Sequence, residues 1–163
     1  MKTIPMLLTA GAVVGADQLT KAITTRTVAL GEHCSFIPGL LGFTYVRNDG
    51  AAFSSFRGMQ WLFALLFAVL TAAIIYEYVK KKLPFTGFER LCILLAWAGG
   101  LGNMIDRVRF GYVVDMIETL FVRFPVFNVA DCFITCAGIA LVVHLAFFNK
   151  AFWKDEKKHD SDS

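Results

Sequence analysis

The chain has 163 residues, of which 56% are hydrophobic and 18% are charged, and its net charge is +3 at pH 7. That apolar share is larger than an ordinary soluble domain of this length uses, so the composition argues against a water-soluble globular protein. The lysines behind the positive charge flank apolar segments, where they set membrane topology, so no nucleic-acid partner is expected.

Four apolar segments are each long enough to cross a hydrocarbon layer about 30 Å thick as a helix. They are residues 4–25, 60–79, 91–108 and 129–148. The third segment ends in the polar run GGLGNMIDR, so its second half must face protein or water rather than lipid. The sequence therefore predicts an all-α membrane protein with four transmembrane helices, which form one integral membrane domain over residues 1–163.

The first segment has an alternative interpretation. Lys2, the apolar residues 4–14 and the small pair Gly15 and Ala16 are also typical of a cleavable secretory signal. The apolar run resumes at Leu19, on a helix that also carries an acidic and a basic residue four positions apart. This continuation favours retention of the segment as a membrane helix.

Basic residues predict the orientation of the helices. Lys80, Lys81 and Lys82 follow the second segment, and four more lysines follow the fourth. Because Lys and Arg are held on the cytoplasmic side, both termini and the loop between the second and third helices are predicted to be cytoplasmic. The loops at residues 28–59 and 109–128 then lie outside.

The first outer loop is too long for a simple turn. Residues 42–46 combine β-branched and aromatic side chains, and Asp49-Gly50 is a turn signal. We therefore expect a small extracytoplasmic β-sheet. The charged C-terminal residues 154–163 are predicted to be disordered.

Cysteine and histidine spacing gives no indication of a metal or a cofactor, and none is expected. The four cysteines lie at positions 34, 92, 132 and 136, without the paired spacing of a zinc site. Cys132 and Cys136 share a helical face, where thiols usually act as small hydrophobic groups. The three histidines are too widely separated to suggest metal ligation or a base for a nucleophile.

Charged and amide side chains near membrane depth are costly unless they have partners, so each is a candidate functional residue. Five clusters meet this description: Asp17 with Lys21, residues 48–53, residues 99–107, residues 111–117 and residues 127–131. Asp17 and Lys21 are one helical turn apart, which is the spacing of an ion pair on one face. That spacing favours a structural role for the pair.

The third predicted helix carries small and polar residues on one face. Gly99, Gly102, Asn103 and Asp106 lie there, so that another helix or a substrate can approach closely while the polar groups point to the same seam. Tight packing alone accounts for the glycines. It does not require Asn103, Asp106 and Arg107 within one turn, which favours a functional site.

Asp115 and Asp131 are predicted to act together in catalysis. Each lies at or just beyond the outer end of a span, on either side of a short loop that brings those ends together. Two neighbouring carboxylates repel, so one keeps a proton while the other is ionised, an arrangement that activates water for amide hydrolysis. The alternative for Asp131 and Asn128 is that they cap the fourth helix.

Five sequence blocks make the chain resemble the lipoprotein signal peptidases, the bacterial type II signal peptidases, over nearly its whole length. The blocks are DQLTK at 17–21, NDGAAF at 48–53, GGLGNMIDR at 99–107, GYVVD at 111–115 and FNVAD at 127–131. The resemblance implies a four-helix aspartyl endopeptidase of the bacterial cytoplasmic (inner) membrane, with its active site and a small sheet at the outer face.

The resemblance also implies roles for individual residues. Asp115 and Asp131 match the catalytic pair. The residues that would bind substrate are Asn48, Gly50, Asn103, Arg107 and Asn128. The residues that would support the site are Asp17, Lys21, Asp106, Gly99 and Gly102.

The implied substrate is a prolipoprotein with a diacylglyceryl group on the cysteine of its lipobox, and the implied cleavage falls before that cysteine. Membrane lipid and the cyclic peptide inhibitors that mimic substrate in this family are the other implied partners, and the protein is expected to be a monomer. Two rival functions are a small transporter or proton relay, which needs carboxylates spread across the bilayer, and a lipid transferase with a metal-bound aspartate cluster. Carboxylates gathered near the outer ends of the spans suit an interfacial active site better.

Overall fold

The structure is a computed structural model that describes residues 3–50 and 59–153. Its elements, in chain order, are α1 (Thr3–Thr27), β1 (His33–Ile37), β2 (Leu41–Asn48), α2 (Gln60–Lys80), α3 (Gly87–Phe110), β3 (Val113–Thr119) and α4 (Val129–Phe147). The predictions for residues 51–53 of the NDGAAF block and for the tail at 154–163 lie outside the described residues.

The four helices occupy the predicted apolar segments. In the described part of the chain, three of them, α2, α3 and α4, are long and apolar enough to cross a membrane. The helix α1 has 25 residues but is not among them. Its second half carries Asp17, Lys21 and Arg26, and such polar residues lower its hydropathy.

Helices α1, α3 and α4 pack together, and α2 packs on the side of α3. The contact between α3 and α4 is close because Gly99 lacks a side chain: a Cβ there would lie 2.6 Å from the carbonyl oxygen of Ala130. On the other side of α3, the Trp97 indole donates to Thr71 Oγ1 of α2 at 3.0 Å and stacks on Phe67. No described residue of α2 is buried.

The three strands form one antiparallel sheet in the order β1-β2-β3. Strand β2 contains the predicted strand residues 42–46. Strand β3 was not predicted. It begins two residues after Gly111, which ends α3 with a φ of 77°. The first four residues of β3 are buried, and Val46 of β2 lies opposite Asp115.

A buried polar cluster joins the first turn of α3 to the end of α4. Glu89 accepts hydrogen bonds from the Thr86 amide (2.6 Å) and from Asn149 Nδ2 (2.8 Å), and its other oxygen lies 2.8 Å from His144 Nδ1. Glu89 is fully buried. We call Thr86, Glu89, His144 and Asn149 the Glu89 clasp. Thr86 and Glu89 form a capping box, so that α3 begins at Gly87, a turn before the predicted start at residue 91.

Candidate active site

Polar side chains from five elements meet at the C-terminal end of α3. The residues are Asp17 and Lys21 of α1, Asn48 of β2, Asn103, Asp106 and Arg107 of α3, Asp115 of β3, and Asn128 and Asp131 at the start of α4. They are scattered over 115 positions of the sequence, and the fold brings them into one hydrogen-bonded network.

Lys21 is the centre of the inner part of this network. Its Nζ lies 2.8 Å from Asp17 Oδ2 and 3.0 Å from Asp106 Oδ2, and it donates to Asn103 Oδ1 at 2.8 Å. Lys21 is 3% exposed, and both carboxylates are fully buried. The contact that the spacing of Asp17 and Lys21 indicated is therefore present, and it extends to a second acid from another helix.

The two acids around Lys21 tie α1 and α3 to neighbouring elements. Asp17 Oδ1 accepts from the Ala130 amide of α4 at 3.0 Å, and Asp106 Oδ2 accepts from the Val114 amide of β3 at 3.1 Å. Gly102 makes room for this arrangement, because a Cβ there would lie 2.5 Å from Asp17 Oδ2. The ion-pair cluster therefore fixes the positions of β3 and α4, which carry the two candidate catalytic acids.

Asn128 and Asp131 form a capping box at the start of α4. The Asp131 amide donates to Asn128 Oδ1 at 3.0 Å, and the Asn128 amide donates to Asp131 Oδ2 at 3.1 Å. The capping alternative is thus observed. It leaves Asp131 Oδ1 facing Asn103, whose Nδ2 donates to it at 2.8 Å. The N-terminus of a helix favours a negative charge in its first turn, so this position favours an ionised Asp131.

Asp115 is held by two side-chain amides. Asn128 Nδ2 donates to its Oδ1 at 2.7 Å, and Asn48 Nδ2 donates to its Oδ2 at 2.9 Å. Burial raises the pKa of Asp115 from 3.8 to about 6; the negative charge of Asp131 acts in the same direction, and the two amide donors oppose it. Asn128 therefore bonds both candidate catalytic acids, one through its side chain and one through its backbone.

Both acids line a cavity of about 540 Å³ between α3, α4 and the sheet. Asn48, Gly50, Asn103 and Arg107 line the same cavity. A more open depression of about 760 Å³ runs along residues 118–125 and contains neither Asp115 nor Asp131. The smaller cavity is therefore the one with the chemical groups that a hydrolytic site requires.

Arg107 lines the cavity from the last turn of α3. Its Nη2 donates to the Gly50 carbonyl at 3.1 Å and its Nη1 to the Asn103 carbonyl at 3.3 Å, while the guanidinium lies over the Phe63 ring at 4.4 Å. Its buried Nε has no hydrogen-bond partner in the described residues.

The structure brings together nearly all the residues that the sequence analysis selected. Gly99 lies apart from the cavity, where it serves the contact between α3 and α4. Gln18 was not selected, although its Nε2 donates to Asp106 Oδ1 at 2.9 Å. An amide side chain in an apolar helix was the signal that pointed to it. Within residues 3–50 and 59–153, no group of three or more His, Cys, Asp or Glu side chains could hold a metal ion.

In the described residues, apolar helices long enough to cross a membrane surround a cavity that is lined by two carboxylates, each hydrogen-bonded to Asn128. This arrangement is typical of a membrane protein with a polar site between its helices. The family model of signal peptidase (SPase) II matches residues 9–147 of this chain. Because that match covers most of the chain, the protein belongs to the signal peptidase II family, as the five sequence blocks predicted.

Individual relatives agree with this assignment. The lipoprotein signal peptidases of Streptococcus pyogenes serotype M5 (strain Manfredo) and serotype M18 (strain MGAS8232) are each 41% identical to this chain over 143 residues, which are 88% of this chain and 89% of each relative. Two solved structures of a bacterial membrane enzyme obtained by the in meso method have TM-scores of 0.84 and 0.80, at 34% and 35% identity. Each alignment covers 91% of this chain, together with 92% of the first structure's chain and 96% of the second's.

Proposed function

We propose that this protein removes the signal peptide from diacylglyceryl-modified prolipoproteins, and that it does so as an aspartic endopeptidase with Asp115 and Asp131 as its catalytic residues. Membership of the signal peptidase II family supports the reaction and the class of substrate. One observation supports the catalytic type more than any other: Asn128 hydrogen-bonds both carboxylates at the edge of one cavity.

We base the roles of the two acids on the helix position of Asp131 and on the burial of Asp115. Asp131 lies in the first turn of α4 and accepts N–H bonds from Asn103 and from the Asn128 backbone, both of which stabilise its ionised form. Asp115 is 2% exposed, and its pKa is about 6. A substrate that displaces water from the cavity would raise this pKa further and so favour the protonated, neutral acid. We therefore assign the general base to Asp131 and the general acid to Asp115.

In the proposed reaction, Asp131 takes a proton from a water molecule whose oxygen attacks the scissile carbonyl carbon. The protonated Asp115 donates a hydrogen bond to the carbonyl oxygen as negative charge develops there. When the carbon–nitrogen bond breaks, the proton on Asp131 passes to the leaving amine. No covalent acyl-enzyme forms, and the two titrations belong to the pair as a unit.

The remaining lining residues would hold the peptide. Arg107 lines the cavity, where its guanidinium can donate to a peptide carbonyl, and the Gly50 and Asn103 carbonyls fix the guanidinium in place. Asn48 keeps Asp115 oriented. A substrate held in this way at several points loses little further entropy when it reacts, which is how positioning accelerates a reaction.

We further propose that α1 is the fourth membrane span. Its 25 residues are about 37 Å long as a helix, which exceeds a hydrocarbon layer of about 30 Å. Its charged Asp17 and Lys21 are buried against α3, while Ile4, Leu7 and Leu8 are each about 70% exposed. A helix that hides its charges from the surroundings and presents apolar residues outward suits lipid.

Four spans with the predicted orientation would put both termini in the cytoplasm and the cavity near the outer face of the bacterial cytoplasmic membrane. The protein would be a monomer surrounded by membrane lipid. The diacylglyceryl chains of a bound substrate would lie beside its helices. The cyclic peptide inhibitors expected from the family resemblance would occupy the same cavity. The transporter or proton-relay alternative is not favoured, because the family model and the relatives that match most of the chain are signal peptidases.

The proposal is tested by incubating purified protein in detergent with a lipidated prolipoprotein and with the same chain without lipid. Mass spectrometry of the products identifies the bond that is cleaved. The proposed function predicts one cut before the lipidated cysteine and little cleavage of the unlipidated chain. Cleavage of both chains at equal rates contradicts the lipid requirement, and no cleavage of either contradicts the function.

A further inference from the structure

The wall of the cavity next to Asp131 carries two thiols and a hydroxyl that the proposed mechanism does not use. Cys132, Thr135 and Cys136 line the cavity on α4. Positions four apart lie on the same helical face, so Cys132 and Cys136 form a stripe that extends about 7.5 Å along the axis from Asp131. Cys132 is partly exposed and Cys136 is exposed, so neither thiol is packed as a buried core residue.

The hydroxyl of Thr135 differs from those of other helical threonines. Six threonines of α1 and α2 donate to the carbonyl four residues earlier; they are Thr9, Thr20, Thr24, Thr25, Thr27 and Thr71. Thr135 makes no such bond within the described residues. Its hydroxyl is therefore available to a molecule in the cavity, since a hydroxyl that is not bonded to its own helix can donate to another acceptor.

We propose that Cys132, Thr135 and Cys136 form the wall that contacts the substrate chain beside the cleaved bond, and that the two thiols are modification sites at which a small neutral electrophile blocks substrate. The inference rests on the proposed function for the identity of the substrate. The accessibility of the thiols rests on the cavity alone.

The chemistry requires a thiol that can ionise, because the thiolate is the nucleophile, and an activated double bond. With N-ethylmaleimide, the sulfur forms a bond to one ring carbon, the carbon–carbon π bond breaks, and the other ring carbon takes up a proton from water in place of the one that the thiol released. Cys132 and Cys136 lie on α4, which is apolar enough to cross a membrane, and moving a charged group into apolar surroundings is costly. A sulfonated, anionic maleimide is therefore excluded from the cavity relative to the neutral reagent.

The chain contains matched controls for this reaction. Cys34 is exposed on β1, outside the cavity, and Cys92 is 3% exposed within the helices. Both reagents should label Cys34, neither should label Cys92 in folded protein, and only the neutral reagent should label Cys132 and Cys136.

The experiment labels full-length protein in detergent with each reagent, locates the adducts by peptide mass spectrometry, and measures cleavage of a lipidated prolipoprotein. Wild type, Cys34→Ser and the double variant Cys132→Ser/Cys136→Ser are each compared with their own untreated activity. The neutral reagent should lower the activity of wild type and of Cys34→Ser at least about tenfold, because an adduct occupies part of the cavity in which the substrate would bind. The double variant should be insensitive, and an excess of lipidated substrate should slow labelling of wild type.

Three results would overturn the inference: no adduct at Cys132 or Cys136, adducts there with full activity, or inactivation of the double variant. If untreated protein cleaves nothing, the proposed function fails independently. The inference is then judged by whether adducts at these two thiols reduce binding of a fluorescent lipidated prolipoprotein peptide, and undiminished binding contradicts it.

Discussion

The two ends of α3 hold two buried polar clusters with different properties. At one end, Glu89 uses both of its oxygens in bonds to Thr86, Asn149 and His144. At the other end, about 25 Å away, Asp115 and Asp131 are also hydrogen-bonded, but both line a cavity. A buried acid is therefore not by itself a sign of catalysis. A second acid at the same opening, with space for a substrate, is what separates the site from the Glu89 clasp.

The comparison also separates two tasks among the acids of the site. Asp17 and Asp106 share the buried ammonium of Lys21, and neither lines the cavity. Asp115 and Asp131 line it. Stability is thus expected to depend most on the Lys21 cluster, and cleavage is expected to depend most on Asp115 and Asp131. The Glu89 clasp should affect both properties less.

The largest effect on stability is expected from Lys21→Met. The substitution leaves Asp17 and Asp106 buried without their cation, and breaking a buried ion pair by removal of one partner costs about 3–5 kcal/mol. Chemical denaturation in detergent measures the change in the free energy of unfolding. Lys150→Met, at an exposed position of the chain, is the control for loss of one lysine. Equal stability of the two variants would contradict a buried ion-pair cluster.

A smaller effect is expected from pH, through Asp115. Its pKa in the folded protein is about 6, raised from 3.8, so the folded state binds more protons than the unfolded chain between these values. The contribution of Asp115 to the free energy of unfolding is therefore fully present below about pH 4 and is lost as pH rises through about 6. The total decrease is about 3 kcal/mol.

Asp115→Asn removes this titration. The thermal midpoint of wild type should fall relative to that of Asp115→Asn as pH is raised from 4 to 7. Parallel pH profiles of the two proteins would show that Asp115 is not shifted upward.

The smallest effect is expected from Glu89→Gln. The amide nearly preserves the shape of the side chain and loses the charge, so the free energy of unfolding should decrease by about 1 kcal/mol, the net worth of an ordinary hydrogen bond. The cleavage rate per folded molecule should not change, because the clasp lies at the other end of α3. A rate loss in fully folded Glu89→Gln would show that the two ends of α3 are coupled.

The sequence predicted the helices well because an apolar segment of membrane-spanning length is a strong signal. The start of α4 at Val129 matches the prediction, since Asn128 and Asp131 are recognisable as caps. The start of α3 was predicted too late, although Thr86 followed by Glu89 is a capping-box pattern. In contrast to the helices, β3 became visible only through its pairing with β2, which no local pattern specifies.

The candidate site could be predicted because each of its polar residues is exceptional in an apolar chain. The Glu89 clasp could not, since His144 and Asn149 lie 55 and 60 residues from Glu89 and no spacing rule connects them. The spatial order within the site was also beyond the sequence. That Asn128 bonds both acids, and that Lys21 serves two carboxylates, depends on how α1, α3 and α4 pack.

The central claim, that Asp115 and Asp131 together cleave the substrate, is tested most directly by the cleavage rates of Asp115→Asn and Asp131→Asn on a lipidated prolipoprotein, with folding verified by thermal unfolding. The control is Glu118→Gln, which makes the same chemical change at a carboxylate that bonds Thr44 and His33 on the sheet. Both aspartate variants are predicted to lose at least about 10²-fold in rate, the usual contribution of acid–base catalysis, while Glu118→Gln keeps the wild-type rate. Wild-type cleavage by either folded aspartate variant would contradict the account.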